Sequence, residues 1–381
     1  LDRLTLIPFN KPYLTGNEID YIREAVESGK ISGDGMFTKK CQEVLEHLLG
    51  LGRTFLTSSC TDALEASALL CNLSPGDEVI IPSYTFVSTA NAFALRGANI
   101  RFIDSLADHP NMDVNSIEEL ITSRTKVIVP VHYAGMACDM DAILTLANRH
   151  NLLIVEDAAQ AIDSYFRGRA LGTFGNLATF SFHETKNIVC GEGGSLQVND
   201  PLLVERAEII REKGTNRSSF FRGEINKYGW VDIGSSFLPS EITAAFLFAQ
   251  LQNLTEIQQR RRSLWDLYYQ RLYILDQSDE LHLPKIPAHA TNNAHMFYLV
   301  CKSLEKRTAL IKHLKEAGII AVFHYQSLHK SVYYKFQHDG RALPHSDRYT
   351  DCLVRLPLFY ELQKDEVNKI CDVILDFYGL H

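Results

Sequence analysis

Two residues in the middle of the chain stand where chemistry could be done. Lys186, in Ser-Phe-His-Glu-Thr-Lys-Asn, follows the strand candidate Ala178 to Phe182, and Asp157 closes the apolar run Leu-Leu-Ile-Val-Glu-Asp. Both fall at carboxyl ends of strands, where open α/β sheets bind ligands. A carboxylate after a fully apolar strand is costly to bury unless something positive meets it; the plainer reading is that Asp157 caps a following helix. A lysine in such a place is ordinarily solvated, but an amine beside a carboxylate can form an imine with a carbonyl. Gly191, Gly193 and Gly194 come just after it and permit close backbone approach. Thr57-Ser-Ser-Cys-Thr-Asp-Ala-Leu opens a helix with several hydroxyls, either as simple caps or as a phosphate site at the positive helix end. Phe86 follows another apolar strand and is either core or a cover for a flat ring. An imine-forming lysine, a carboxylate for a ring nitrogen, a phosphate cradle and an aromatic face are together what pyridoxal 5′-phosphate (PLP) chemistry needs. No Walker-type loop and no Gly-x-Gly-x-x-Gly after a strand is present, which counts against nucleotide hydrolysis and dinucleotide redox chemistry.

The elements that must position these residues are legible from about residue 50 to 200. Short apolar runs alternate with amphipathic ones, the pattern of strand, crossover helix and parallel strand. Strand candidates are Thr54 to Leu56, Glu78 to Ile81, Asn99 to Ile103, Lys126 to Val131, Leu152 to Glu156, Ala178 to Phe182 and Ser195 to Val198. Several are apolar on consecutive residues, so an α/β fold with a mostly parallel central sheet covered on both faces is expected. From Glu241 to Leu275 helical periodicity runs with hardly a breaker, predicting one long helix that leads out of the first domain. A strand at Met296 to Val300, a helix around Leu304 to Ala317, a strand at Ile319 to Phe323 and a closing helix from Lys364 read as a small α+β domain. The boundary is placed near 245, giving a large domain over 1–245 and a small C-terminal domain over 246–381.

The 381 residues suffice for two cores. A formal charge of −8 gives no basic footprint for nucleic acid. The apolar runs are strand length, too short for a membrane span. Eight scattered cysteines without Cys-x-x-Cys spacing suggest reduced thiols of a cytoplasmic enzyme, with neither a disulfide framework nor a metal site. The start, Leu-Asp-Arg-Leu-Thr-Leu-Ile-Pro-Phe, reads as a trimmed end without a secretory leader.

Further segments carry a resemblance. They are Pro-Gly-Asp-Glu-Val-Ile-Ile-Pro-Ser-Tyr-Thr-Phe from 75, Pro-Val-His-Tyr-Ala-Gly from 130, Glu-Asp-Ala-Ala-Gln from 156, Ser-Phe-His-Glu-Thr-Lys-Asn from 181 and Gly-Glu-Gly-Gly from 191. Taken together, the chain resembles the DegT/StrS family of PLP-dependent nucleotide-sugar aminotransferases, over nearly its whole length. The resemblance implies the aspartate aminotransferase-like fold, PLP-dependent transferase fold type I, and a homodimer with active sites at the interface. It also implies that Lys186 forms the imine with PLP and moves protons, that Asp157 pairs with the ring nitrogen, and that Gln160 lies near the phenolic oxygen. Cys60, Thr61 and Ser181 would hold the phosphate, and Phe86 would cover the ring. His183 either faces the sugar or is a packed histidine. L-Glutamate is the implied amino donor, with pyridoxamine phosphate as the intermediate carrier, and a dTDP-4-keto-6-deoxyhexose the implied acceptor. Gly-Glu-Gly-Gly resembles members that act at the sugar 4-position.

One departure from the family pattern stands before the long helix, where Gly234-Ser-Ser-Phe-Leu-Pro-Ser replaces Gly-Tyr-Asn-x-Arg-Met. Ser236 takes the place of an asparagine that reaches the partner's cofactor phosphate, and a serine can still donate a hydrogen bond. Leu238 replaces an arginine, which leaves Arg217 and Arg222 as candidates for the donor's carboxylates. His324, Tyr325 and His329 are further candidates for lining the substrate entrance. Rival readings are the same transfer giving the gluco epimer, a PLP-dependent sugar dehydratase or lyase, and a non-catalytic PLP-binding regulator. Lys186 argues against the dehydratase, whose family members carry histidine there.

Overall fold

The computed structural model describes residues 6–380. The apolar runs of the first half form β1 (Arg53–Thr57), β2 (Glu78–Pro82), β3 (Asn99–Ile103), β4 (Thr125–Ile128) and β5 (Leu153–Asp157). A short ribbon of β6 (Tyr165–Phe166) and β7 (Arg169–Ala170) precedes β8 (Leu177–Ser181) and β9 (Gly194–Val198). Apart from the ribbon they make one seven-stranded sheet in the order β1-β9-β8-β5-β4-β2-β3. The strands β3, β2, β4, β5 and β8 run parallel, and β9 is antiparallel to both its neighbours, β8 and β1. Because side chains alternate along a strand, consecutive apolar residues feed opposite faces. Ile80, Ile128 and Ile154 enter one core, with the helices Met36–Leu49 and Met140–His150. Val79, Ile81, Val127 and Val155 enter the other, with Cys60–Leu70 and Val87–Ala94.

The single long helix expected after Ser240 is instead two, Glu241–Gln252 and Leu254–Gln277. Asn253 lies between them at φ −105° and ψ 12°, and its side-chain amide donates to the Ala249 carbonyl at 2.9 Å. An asparagine that bonds to nearby backbone competes with helix continuation. The first helix packs on Glu18–Glu27 and Met36–Leu49, and the second on the closing helix Lys364–Phe377. The corner between them lies a little beyond position 245.

The second sheet is antiparallel, with β10 (Leu281–His282), β11 (Phe297–Cys301), β12 (Val322–Phe323) and β13 (Leu353–Leu356) in the order β10-β11-β13-β12. The strand expected over Ile319 to Phe323 keeps only its last two residues. Ile319 bridges instead to Ile7, whose N–H donates to the Gly318 carbonyl at 2.9 Å. Ile7 is buried in the core of the C-terminal sheet, so the chain start is stitched to the second layer, not to the first.

Candidate functional site

A cavity of about 660 Å³ opens at the carboxyl ends of the parallel strands, between the large sheet and the small one. Its lining contains Cys60, Thr61, Phe86, Asp157, Gln160, Ser181, His183, Lys186, His324 and Tyr325, all singled out from the sequence. The loop after β8 turns sharply, with the Lys186 N–H donating to the His183 carbonyl at 2.9 Å, and this carries Lys186 back over the strand ends. Burial pulls its ammonium below the ordinary lysine range, the negative charge of Asp157 pushes it up, and Arg355 adds to the lowering.

Asp157 is buried at the end of β5. Its Oδ2 accepts from Thr89 Oγ1 at 2.7 Å and its Oδ1 from the Ala159 N–H at 3.1 Å. No helix follows β5 directly, so Asp157 is not a helix cap; residues 158–164 are turns and irregular chain. Among the described residues it has no ion-pair partner, and a buried carboxylate in that state calls for a cation from outside the chain. Thr89 and Thr85, whose hydroxyls are 3.0 Å apart, were not found from the sequence. Thr85 lies in the run quoted from Pro75 to Phe86, and Thr89, just beyond it, carried no signal of its own.

Ser59 caps the helix Cys60–Leu70, its hydroxyl accepting from the Asp62 N–H at 3.0 Å. The amides of Cys60 and Thr61 belong to the first turn, which has no partner within a helix. Thr61 Oγ1 donates to Ser88 Oγ at 2.9 Å, and Ser181 lies beside them in the lining. Burial, reinforced by Asp157, pushes the Cys60 thiol up to about 12, so it remains neutral next to an anion. The cradle is close because Gly194 of β9 packs on the helix start: a Cβ there would lie 2.4 Å from the Cys60 amide nitrogen. An amide and hydroxyl cluster for a dianion, a buried carboxylate for a cationic ring nitrogen and a half-desolvated lysine fit PLP.

Gln160 is held at both ends, accepting from the Ala134 N–H at 2.6 Å and donating to Tyr325 OH at 2.9 Å. Phe86 is 53% exposed and its ring centroid is 6.0 Å from that of Tyr325, so it is a rim residue and not core. His183 is partly exposed, with Nδ1 3.0 Å from Thr185 Oγ1 and Nε2 3.7 Å from Glu192. His324 stacks on Tyr325 at 3.5 Å between centroids and meets Tyr133 OH at 2.6 Å.

Four expected residues stand elsewhere in the chain. His329 does not line this cavity; it is buried with Nδ1 2.7 Å from Ser83 Oγ and Nε2 3.7 Å from Asp347, which makes it a packing group where the two layers meet. Arg217, Arg222 and Ser236 line a separate cavity of about 880 Å³. Arg217 is 3.6 Å from Glu212, and Arg222 is 2.9 Å from Glu208 and 2.7 Å from Glu224, so both are already neutralised. Two basic groups of the lining, His295 and Arg355, were also missed. Arg355 had a signal, being a lone cation within the apolar run Leu-Val-Arg-Leu-Pro-Leu.

The sequence profile of the DegT/DnrJ/EryC1/StrS aminotransferase family matches residues 12–375. Among solved structures, the aminotransferase TlmJ from Streptoalloteichus hindustanus is 30% identical, over 98% of this chain and 99% of its own, at a TM-score of 0.90. DesV of S. venezuelae, solved in complex with a ketimine intermediate, is 29% identical over 99% of both chains at 0.89. Spr1654 from Streptococcus pneumoniae, solved with PLP and also with pyridoxamine phosphate, is 27% identical over 98% of both chains at 0.88 in its PLP form. The fold is that of PLP-dependent transferase fold type I. With this site, this fold and this match, the chain belongs to the DegT/DnrJ/EryC1/StrS aminotransferase family and is a PLP-dependent sugar aminotransferase.

Proposed function

We propose that the enzyme transfers the amino group of L-glutamate to the 4-keto group of dTDP-4-keto-6-deoxy-D-glucose, giving dTDP-4-amino-4,6-dideoxy-D-galactose and 2-oxoglutarate. The observation that carries the transamination is the buried Asp157 carboxylate, without a cation of its own, in one cavity with a desolvated lysine. The choice of sugar rests on the resemblance of Arg-Glu-Lys-Gly-Thr-Asn-Arg-Ser from 211, Lys-Tyr-Gly-Trp from 227 and Asn-Ala-His-Met-Phe-Tyr from 293 to the dTDP-4-amino-4,6-dideoxygalactose transaminase.

PLP, when bound, supplies the electron sink that makes the donor's α-proton acidic. In this reading Lys186 Nζ takes that proton and returns it, a role suited to an amine whose charged form burial disfavours. Asp157, fixed by Thr89 and the Ala159 N–H, holds the ring nitrogen cationic. The Cys60 and Thr61 amides with the hydroxyls of Thr61 and Ser181 hold the phosphate, Gln160 stands by the phenolic oxygen, and Phe86 covers the ring. His183, His324 and Tyr325 face the sugar. Ser236, Arg217 and Arg222 serve the site of a second copy in a homodimer, a role their separate cavity is consistent with.

The test is a spectrum followed by a product assay. L-Glutamate bleaches the cofactor band of the wild type, and Lys186→Ala keeps PLP but loses turnover. NMR of the aminated sugar reads the configuration at C4; the gluco epimer, or no reaction with glutamate, rejects the assignment.

A further inference from the structure

The Lys186 cavity holds a cation, Arg355, that no carboxylate among the described residues neutralises. Arg355 stands on β13, paired in register with Tyr298 of β11 and Val322 of β12. Its neighbours Val354 and Leu356 are buried in the core of the small domain. Alternation along the strand therefore turns Arg355 to the other face, where it joins the cavity lining. Its guanidinium lies over the Phe9 ring at 4.7 Å, and its Nε is shut from solvent without a hydrogen-bond partner. No carboxylate is within ion-pair distance among the described residues. The groups that most favour its charge are Tyr133, Tyr325 and Tyr84, and burial pushes the ionisation of all three phenols up, so none supplies an anion.

Other arginines contrast with it. Arg211 meets Asp34, Arg262 meets Asp163, and Arg217 and Arg222 meet glutamates. A desolvated guanidinium left unpaired is costly, and its five donors in a planar fork match a carboxylate. Two histidines of the lining, His295 and His324, are pushed down by burial and stay neutral, and Lys186 is the group that takes the proton. A donor amino acid that gives its α-proton to Lys186 brings its α-carboxylate to within one bond of the reacting carbon. The cation that receives it must stand within electrostatic reach of Lys186, and Arg355 does.

We propose that Arg355 binds the α-carboxylate of the amino donor and so fixes the donor's α-carbon against Lys186. This rests on the reading of the enzyme as a glutamate-dependent transaminase.

The experiment uses the holoenzyme with Arg355→Gln and Arg355→Lys. L-Glutamate and 2-oxoglutarate are titrated by cofactor absorbance, L-glutamine by competition, and the dTDP-amino-sugar product by calorimetry. Arg355→Gln is expected to raise the apparent Kd for L-glutamate, 2-oxoglutarate and L-glutamine each by about 100-fold, while the sugar nucleotide changes by less than about 3-fold. Arg355→Lys recovers part of the loss. Retained sugar affinity shows that the variant is folded. Unchanged glutamate affinity, a loss shared equally by the sugar nucleotide, or a loss for glutamate that spares glutamine overturns the proposal. Failure of the wild type itself to react with L-glutamate is a different result: it removes the donor reading on which the proposal stands.

Discussion

At the residue scale, Lys186 is poised by opposing influences. Burial disfavours its ammonium form, and the Asp157 carboxylate favours it. An amine must be neutral to attack a carbonyl, so a lowered pKa makes it reactive at lower pH than an ordinary lysine. In the ligand-free protein, reductive methylation of Lys186 followed by mass spectrometry is expected to rise with pH at a midpoint below 10.5, the ordinary lysine value. Asp157→Asn removes a negative charge that favours the ammonium, so the midpoint moves lower still. A midpoint at or above that of surface lysines, or an upward move in the variant, contradicts this account. The aspartate was legible because it closes an apolar strand, and the lysine because it follows the neighbouring one. Thr89, which orients Asp157, was not, because a threonine on a helix has no sequence feature that shows which way it points.

At the element scale, two close contacts hold the cradle and its supports in place. Glu241, buried at the start of its helix, accepts from the Gly35, Phe37 and Thr38 amides at 2.9, 2.8 and 3.1 Å, and so serves the opening turn of Met36–Leu49. Glu241→Ala leaves those donors buried and unmatched, at a cost of about 3 kcal/mol or more. Urea denaturation should show a lower midpoint with an unchanged m-value. Gly194 is needed for approach: a Cβ would press on the backbone of Ser59 and Cys60. Gly194→Ala is expected to weaken PLP binding by at least about 10-fold, one such factor corresponding to about 1.4 kcal/mol; equilibrium dialysis of the cofactor measures it, and wild-type affinity would refute the close-packing argument. The helix after Ser59 was readable from its hydroxyls and apolar spacing. The break at Asn253 was not, since periodicity continues through a residue whose side chain bonds back to Ala249.

For the whole molecule, buried histidines make stability depend on acid. Burial lowers His109 to about 4 and pushes His295 and His324 well down. Below 6.5, the ordinary histidine value, the unfolded chain binds protons that the native one refuses, so their contribution is full above 6.5 and is lost as pH falls. Each such histidine loses about 1.4 kcal/mol of stability per pH unit below that value. Urea midpoints between pH 7.5 and 5 should fall accordingly, and His109→Asn should flatten the slope; an unchanged slope would show that His109 is not buried neutral. Exposed Phe221, Trp230, Val231 and Ile233, in the segment that carries Arg217 and Arg222, suit contact with a second copy. Sedimentation equilibrium is expected to give a dimer, and Trp230→Glu to weaken it; a wild-type monomer rejects the homodimer.

By itself the sequence determined the α/β class, the mostly parallel sheet and the lysine with its aspartate, because these are written in local periodicity and in charges at strand ends. Tertiary structure alone decided that Ile7 joins the core of the C-terminal sheet, that His329 packs away from the cavity, that Arg217 and Arg222 already have glutamates, and that Arg355 has no carboxylate among the described residues. The physical reason is that ion pairing and desolvation depend on distances between residues far apart in the chain, which no local pattern encodes.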